Sequence, residues 1–206
     1  MAGQRCTANR RVIVHSEVAD EFIALLVDAA SRLHWGDAGD PDTGIGPLVD
    51  HERLAMVEAL MARAEKDHLP VHSPLGHHPN PPADRTLAWC PPRIVECDEP
   101  KHELVQEELF APILVVQKAT TWNEALELAN GVRQGLAAAV FTGSDEKIAE
   151  FLKEARAGIL KVNRSTADAA IDVPFGGWKS SGIGPPEHGE GDFEFYTRSQ
   201  TLYGAE

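Results

Sequence analysis

The second half of the chain alternates short apolar runs with amphipathic segments. Apolar runs typical of buried strands lie at residues 113–117, 136–142 and 159–163, and segments with helical spacing lie between them at 122–129 and 145–155. Strands and helices of these lengths, in this order, are joined by right-handed crossovers and build a mostly parallel sheet. The chain is therefore predicted to fold as an α/β protein.

The first half predicts fewer elements of the same kind. Residues 11–15 form a β-branched run typical of a strand, and Ser16 is a suitable N-cap for an amphipathic helix that ends at Gly36. A second helical pattern runs through residues 54–61. Residues 73–85 are rich in Pro and His and are expected to form a surface loop, whereas residues 193–203 are expected to be extended. One α/β domain accounts for this organisation.

The composition excludes several classes of function. A net charge of −13 over 206 residues argues against a nucleic-acid surface, because phosphate binding needs clustered Lys and Arg. No apolar run is long enough to span a membrane, and the sequence does not open on the apolar core of a secretory signal. Three cysteines cannot close a disulfide framework, and they form no CxxC pair typical of zinc sites. A cytoplasmic protein without a metal site is expected.

The first candidate for chemistry is the cysteine of Gly-Gln-Arg-Cys at residues 3–6. An arginine beside Cys6, and a glycine that allows the backbone to approach closely, suit a reactive thiolate. A thiolate can attack a carbonyl carbon, and nearby backbone N–H groups can hold the resulting oxyanion. A lone cysteine is more often an inert apolar side chain, so this motif alone leaves both interpretations open.

The second candidate is the acidic turn at residues 106–112. Glu107 and Glu108, followed by Phe110 just before a buried strand, could offer a carboxylate to a ribose and a ring to a flat heterocycle. At the carboxyl end of a strand, such a turn would lie where α/β sheets bind ligands. A solvated acidic turn with Phe110 in the core explains the same residues.

The third candidate is the glycine-rich segment Val-Pro-Phe-Gly-Gly-Trp-Lys-Ser-Ser-Gly-Ile-Gly at residues 173–184. Its glycines match neither the Walker loop nor the GxGxxG fingerprint, so it is not predicted to bind phosphate. A tight loop over a ligand or a partner chain, and a purely structural loop, are both consistent with it.

Together, these three motifs resemble those of the aldehyde dehydrogenase superfamily in order and spacing. GQRC is followed by EELFAP about a hundred residues later and then by PFGGWKSSG, and the resemblance covers residues 3 to about 204. It implies the family's catalytic domain over residues 1–190, a three-layer α/β fold with a mostly parallel sheet. It also implies a C-terminal oligomerisation strand within residues 191–206.

The resemblance assigns roles to particular residues. Cys6 matches the family's nucleophile, and its backbone N–H matches one donor of the oxyanion hole. Glu108 matches the glutamate that holds the nicotinamide ribose, Phe110 the phenylalanine beside the nicotinamide, and Phe175 a residue that lines the substrate or nicotinamide pocket. The implied reaction is the oxidation of a small aldehyde by NAD or NADP, through a thiohemiacetal and then a thioester on Cys6.

The sequence also departs from the family pattern. Ala111 replaces the usual Gly, a mild change that should leave Glu108 in place. Residues 185–189 and 194–197 resemble members that act on α-ketoglutarate semialdehyde, and Arg164 could pair with a substrate carboxylate or be a surface cation. The family's N-terminal half, which carries the cofactor-binding domain and the general base, has no counterpart here. The chain is therefore expected to be a catalytic-domain fragment that is inactive alone.

Other classes of function stay open beside the enzyme. One is a non-catalytic, self-associating interaction module derived from such an enzyme. Another, a cysteine hydrolase, needs a histidine base, and His15 and His34 are unconvincing partners for Cys6. The histidines at 68, 72, 77 and 78 are interpreted as part of a solvated loop rather than a metal site. A bared interdomain face and the terminal strand together predict a homo-oligomer.

Overall fold

The structure is a computed structural model that describes residues 1–37, 39–75 and 86–204. They form two compact units, Met1–Val132 and Arg133–Glu206. The first unit contains, in chain order, β1 (Arg11–His15), α1 (Ser16–Ser31), α2 (His51–Lys66), β2 (Val71–His72), β3 (Arg93–Glu96), α3 (Glu103–Gln106), β4 (Ile113–Ala119) and α4 (Trp122–Asn130). The second contains β5 (Ala137–Val140), α5 (Asp145–Glu154), β6 (Ile159–Val162), a 3-10 turn (Lys179–Ser181) and α6 (Gly191–Tyr196). Most of the expected surface loop at 73–85 lies outside the described residues.

The strands of the first unit form one sheet in the order β1-β4-β3-β2. β4 pairs in parallel with β1 on one side, where Arg11 lies opposite Val115, and with β3 on the other. Only the two-residue strand β2 runs antiparallel, at the edge of the sheet beside β3. In the second unit, β5 and β6 pair in parallel with α5 between them in the chain. The prediction of a mostly parallel α/β fold is confirmed.

Helices cover both faces of the first sheet. Neighbouring residues of a strand point to opposite faces, so Val115 and Val116 of β4 belong to two different apolar clusters. On one face, Val116 packs with Ala19 and Ile23 of α1. On the other face, Val115 belongs to a larger cluster with Val57 of α2. Strands buried on both faces need apolar side chains throughout, which explains the uninterrupted apolar run that begins β4.

Side-chain caps set where the helices of the first unit begin. The prediction that Ser16 is the N-cap of α1 is wrong, because Ser16 is already helical and His15 occupies the cap position. The His15 ring nitrogen Nδ1 accepts a hydrogen bond from the backbone N–H of Glu17 over 3.4 Å, which satisfies one of the free donors at the helix start. A carboxylate oxygen of Asp50 caps α2 in the same manner, over 2.7 Å to the N–H of Arg53.

The C-terminal segment differs from its expected extended structure. Residues 193–196 lie in α6, and residues 197–204 contain no strand. A strand needs a neighbour that pairs with its backbone N–H and C=O groups, and residues 197–204 have no such neighbour within the described chain. The predicted C-terminal oligomerisation strand is thus not formed in the single chain. The assignment of 1–190 to a catalytic domain and of 191–206 to oligomerisation stays a prediction.

Candidate active site

The first two motifs precede neighbouring strands of one sheet. The turn that carries Cys6 leads into β1, and the turn that carries Glu108 leads into β4. Since β1 and β4 pair in parallel, the segments that enter them lie at the same edge of the sheet. The expectation that the acidic turn lies at a carboxyl end is wrong, because it joins the end of α3 to the amino end of β4.

The two turns touch each other through backbone atoms. Gly3 has a φ of +71° and lies so close to Ala111 that a Cβ atom built on it would be 2.2 Å from the carbonyl oxygen of Ala111. The neighbouring Ala2 and Leu109 are buried in the larger apolar cluster of the first unit. Only glycine allows both this φ and this approach, so residue 3 brings the Cys6 turn against the Glu108 turn.

The side chain of Gln4 fixes the same turn from another direction. Its amide nitrogen Nε2 donates to the carbonyl oxygen of Pro47 over 3.1 Å, and its oxygen Oε1 accepts from the N–H of Val49 over 2.8 Å. The amide therefore pairs with the 47–49 backbone as a strand neighbour would. Nothing in the sequence of either segment reveals this pairing, because the partners of Gln4 are backbone groups that almost every residue carries.

Cys6 differs from the other two cysteines in exposure. Cys6 is exposed, whereas Cys90 and Cys97 are both buried in the apolar cluster. Burial raises the pKa of the Cys90 thiol to about 11 and also raises the pKa of Cys97, although a backbone hydrogen bond with Glu99 opposes the second shift. The two buried thiols therefore stay protonated near neutral pH, and the thiol that reagents can reach is Cys6.

Glu108 is exposed beside an open groove of the first unit. The groove has a volume of about 490 Å³ and is lined mostly by α2 and by the acidic residues of and after α3: Met56, Ala59, Leu60, Arg63, Glu103, Glu107 and Glu108. Phe110 is half-buried and has a φ of +49°, a left-handed conformation uncommon for an aromatic residue. A carboxylate beside an apolar wall can accept hydrogen bonds from sugar hydroxyls while the wall excludes water.

The remaining site candidates belong to the second unit. Phe175 exchanges two backbone hydrogen bonds with Glu187, of 2.6 Å and 3.1 Å, and its ring centroid lies 5.6 Å from that of His188. Arg164 is exposed just after β6. The glycines near Phe175 serve close packing, since a Cβ atom on Gly158 would lie 1.9 Å from the carbonyl oxygen of Gly176. That observation favours a structural role for these glycines.

A comparison with known protein families assigns the chain. Residues 1–202 match the model of the aldehyde dehydrogenase family. The chain belongs to this family.

Several curated aldehyde dehydrogenases resemble this family member along nearly its whole length. It is 35% identical over 202 residues to the α-ketoglutarate semialdehyde dehydrogenase of Haloferax volcanii, which covers 98% of this chain and 41% of the relative. It is 32% identical over 216 residues to aldehyde dehydrogenase [NAD(P)+] 1 of Saccharomyces cerevisiae, covering 98% and 40%. The chain thus spans about two fifths of the length of these relatives.

Solved aldehyde dehydrogenases share the fold of this chain. The betaine aldehyde dehydrogenase of Staphylococcus aureus, solved in complex with NAD+, superimposes with a TM-score of 0.85 at 29% identity. That superposition covers 95% of this chain and 38% of the solved one. The expected family and fold are therefore confirmed, whereas the roles of individual residues stay predictions.

Two further findings concern metals and membranes. Among residues 1–37, 39–75 and 86–204, no group of three or more His, Cys, Asp and Glu side chains is arranged to hold a metal ion. His72 instead binds Glu96, with 2.7 Å between Nε2 and Oε1, while His77 and His78 lie outside the described residues. Within that same part of the chain, no helix combines the length and apolar character needed to cross a bilayer.

Proposed function

We propose that this chain is the catalytic part of an NAD(P)-dependent aldehyde dehydrogenase that oxidises an aldehyde to a carboxylic acid. The contact between the turn of Cys6 and the turn of Glu108 supports this most strongly. It brings an exposed thiol and an exposed carboxylate to the same end of one sheet, at the amino ends of β1 and β4. A reaction between a substrate held covalently by the thiol and a cofactor held through its ribose requires such an arrangement.

Cys6 acts as the nucleophile in this proposal. Its thiolate sulfur bonds to the carbonyl carbon of the aldehyde, and the carbonyl oxygen gains the charge that the backbone N–H of Cys6 stabilises. Loss of hydride from that carbon turns the thiohemiacetal into a thioester. Water then attacks the thioester carbon, the carbon–sulfur bond breaks, and the carboxylic acid and the free thiol are released. NAD(P)+, when bound, accepts the hydride.

The residues near Cys6 fit such a cofactor. Glu108 would accept hydrogen bonds from the hydroxyl groups of the nicotinamide ribose, since an ionised carboxylate is an acceptor only. Phe110 would lie beside the nicotinamide ring, and its left-handed backbone directs the chain sharply between Glu108 and β4. The apolar wall of Met56, Ala59 and Leu60 would exclude water from the groove beside Glu108.

We further propose that the substrate is a semialdehyde, which carries a carboxylate as well as an aldehyde. Two similar proteins are named for α-ketoglutarate semialdehyde, the Haloferax relative and one of Bacillus subtilis at 30% identity. Exposed Arg164 would bind the carboxylate, and Phe175 would line the substrate or nicotinamide pocket. Comparing how well a semialdehyde and an uncharged aldehyde of equal length protect Cys6 from iodoacetamide tests this without turnover, since equal protection contradicts it.

The half-reaction at Cys6 provides the main test. An activated ester such as p-nitrophenyl acetate should acylate Cys6 faster than it acylates a small free thiol, because in the proposed reaction the backbone N–H of Cys6 stabilises the oxyanion. Intact-protein and peptide mass spectrometry locate the acetyl group, and Cys6→Ser should abolish it. Acylation no faster than that of the free thiol contradicts a catalytic role for Cys6.

Complete oxidation of an aldehyde by this chain alone is tested separately from the acylation of Cys6. The expectation that the chain is inactive alone stays a prediction, and assays with NAD+ or NADP+ and short aldehydes test it directly. Clear turnover contradicts that expectation while supporting the proposed reaction.

The non-catalytic module remains the alternative, and exposed apolar side chains favour self-association in either case. On α1, Val18 and Leu25 are 51% and 62% exposed, and in the second unit Leu202 and Tyr203 are 90% and 91% exposed. Apolar groups left in water drive association. We therefore propose a homo-oligomer. Light scattering that returns a monomer mass contradicts it, and association without acylation of Cys6 supports the non-catalytic module.

A further inference from the structure

Arg10 lies between the candidate nucleophile and the first strand. It follows Cys6 by four residues and directly precedes β1. Its backbone is already fixed to the sheet, because its carbonyl oxygen accepts a hydrogen bond of 3.0 Å from the N–H of Val115 in β4. The side chain therefore starts from a rigid point at the edge of the sheet where the Cys6 and Glu108 turns meet.

The guanidinium of Arg10 binds the backbone of the acidic turn. Its nitrogen Nη1 donates to the carbonyl oxygen of Val105 over 2.8 Å and to that of Glu107 over 3.0 Å. Glu107 directly precedes Glu108, and Val105 lies in α3. Both hydrogen bonds are charge-assisted and bridge more than ninety residues of sequence. They hold the start of the Glu108 turn against the segment that carries Cys6.

A second tie joins the other ends of the same two segments. Gly3, three residues before Cys6, packs on the backbone of Ala111, three residues after Glu108. Residues 3–10 and 107–111 are thus connected at both ends, by packing at Gly3 and by hydrogen bonds at Arg10. Cys6 lies on one side of this closed frame, and Glu108 lies on the other.

From this geometry we infer that Arg10 is a positioning residue for the proposed reaction, which sets the placement of the Glu108 carboxylate relative to the Cys6 sulfur. Arg10 acts through the backbone of residues 105–107 and touches neither substrate nor cofactor in this role. Hydride transfer depends steeply on the distance between the reacting atoms, so a loose Glu108 turn would misplace the cofactor ribose. This role rests on the proposed function of Cys6 and Glu108.

Arg11 offers a matched control. It is adjacent in sequence, and it too donates to two backbone carbonyls distant in sequence, those of Leu128 over 3.1 Å and Ala129 over 3.2 Å. Those carbonyls lie near the end of α4, away from the Glu108 turn. Loss of Arg11 should therefore destabilise the first unit, while leaving the frame between Cys6 and Glu108 intact.

The experiment measures the placement of position 108 relative to Cys6 by cross-linking. In the full chain with Glu108→Cys, 1,2-bis(maleimido)ethane should bridge Cys6 and position 108, as identified by peptide mass spectrometry. Adding Arg10→Met should lower the rate of bridging roughly tenfold, because the charge-assisted hydrogen bonds that confine the turn are lost. Arg10→Lys should restore part of the rate, since an ammonium group can still reach one of the carbonyls.

The outcomes separate this inference from the proposed function. An unchanged bridging rate in Arg10→Met, or an equal decrease in Arg11→Met, overturns the positioning role. If Arg10→Met does not fold, as judged by circular dichroism, the comparison of Arg10→Lys with Arg11→Lys decides in the same way. Failure of p-nitrophenyl acetate to acylate Cys6 in the unmodified chain counts against the proposed function. The bridging rate tests only whether Arg10 positions the Glu108 turn, so the two failures can be told apart.

Discussion

Replacement of Gly3 by alanine should disrupt the contact between the two turns of the candidate active site. Residue 3 has a φ of +71°, and an added Cβ atom would lie 2.2 Å from the carbonyl oxygen and 2.7 Å from the carbonyl carbon of Ala111. Both are backbone atoms, so no side chain can rotate away to make room. The two turns would have to separate, or the backbone at residue 3 would have to change its conformation.

The expected loss of stability has two parts. An alanine held in the left-handed region costs roughly 1–2 kcal/mol relative to glycine. A methyl group forced into packed surroundings costs about 1–3 kcal/mol more. Gly3→Ala should therefore lower the free energy of unfolding by roughly 2–5 kcal/mol, a large share of the 5–15 kcal/mol typical of a domain.

Two other glycines separate these contributions. Gly184 has a φ of +81° but would place its Cβ atom within 4 Å of nothing, so Gly184→Ala measures the backbone strain alone. Gly143 has neither the positive φ nor a close neighbour, so Gly143→Ala should change stability by less than about 1 kcal/mol. Urea denaturation followed by circular dichroism gives the free energy of unfolding for all three variants.

The relative loss of stability in the three variants tests whether the two turns pack as the structure shows. The close approach of Gly3 to Ala111 requires Gly3→Ala to lose clearly more stability than Gly184→Ala. If the two variants lose equal amounts, the packing of the two turns is not what the structure indicates. The two turns would then not form one site.

Three further predictions concern the half-buried Arg11, the cysteine thiols and the pH dependence of stability. Arg11→Met should lower the free energy of unfolding by about 2–4 kcal/mol in urea denaturation, because Gln117 and two helix-end carbonyls lose a charged donor. Iodoacetamide at about pH 8 should label Cys6 and leave Cys90 unmodified in the folded chain, because burial keeps the Cys90 thiol protonated. Glu96→Gln should destabilise the chain more at about pH 7 than at about pH 3, as measured by urea midpoints. Burial raises the pKa of Glu96, but hydrogen bonds from the side chains of His72 and Lys118 lower it by more. The ionised carboxylate therefore stabilises the fold above its unfolded pKa, and this stabilisation is lost as the pH falls through its folded pKa.

Each of these predictions has a matched control. Arg32→Met removes an exposed ion pair with Asp28 and should change stability by less than about 1 kcal/mol, and a comparable loss would contradict the role given to Arg11. Cys6→Ser should abolish native labelling, so continued labelling would show that a buried thiol is reachable. Glu21→Gln removes an exposed carboxylate of α1, and a loss of stability at about pH 7 as large as that of Glu96→Gln would argue against the network around Glu96.

Much of the fold was predictable because periodicity reports burial directly. The run at residues 11–15 and the strand, helix and strand after residue 136 appear in the structure within a few residues of their expected ends. Element ends depend on single hydrogen bonds, which explains the error at α1, where His15 caps the helix in place of Ser16. Extended structure was predicted wrongly for residues 193–196, which lie in α6, because an extended pattern needs a pairing neighbour that a local pattern does not specify.

The residue types of the candidate site, and their order along the chain, could be predicted from the sequence. Cys6, Glu108 and Phe110 stand in motifs whose residue types suggest a thiol nucleophile and a sugar-binding carboxylate. Their proximity depended on the register between β1 and β4, because parallel pairing of these two strands is what brings together turns a hundred residues apart. The contacts that hold the two turns in place, made by Gly3, Gln4 and Arg10, are all with backbone atoms. Because almost all residues carry the same backbone groups, no local sequence pattern reveals which residues these three contact.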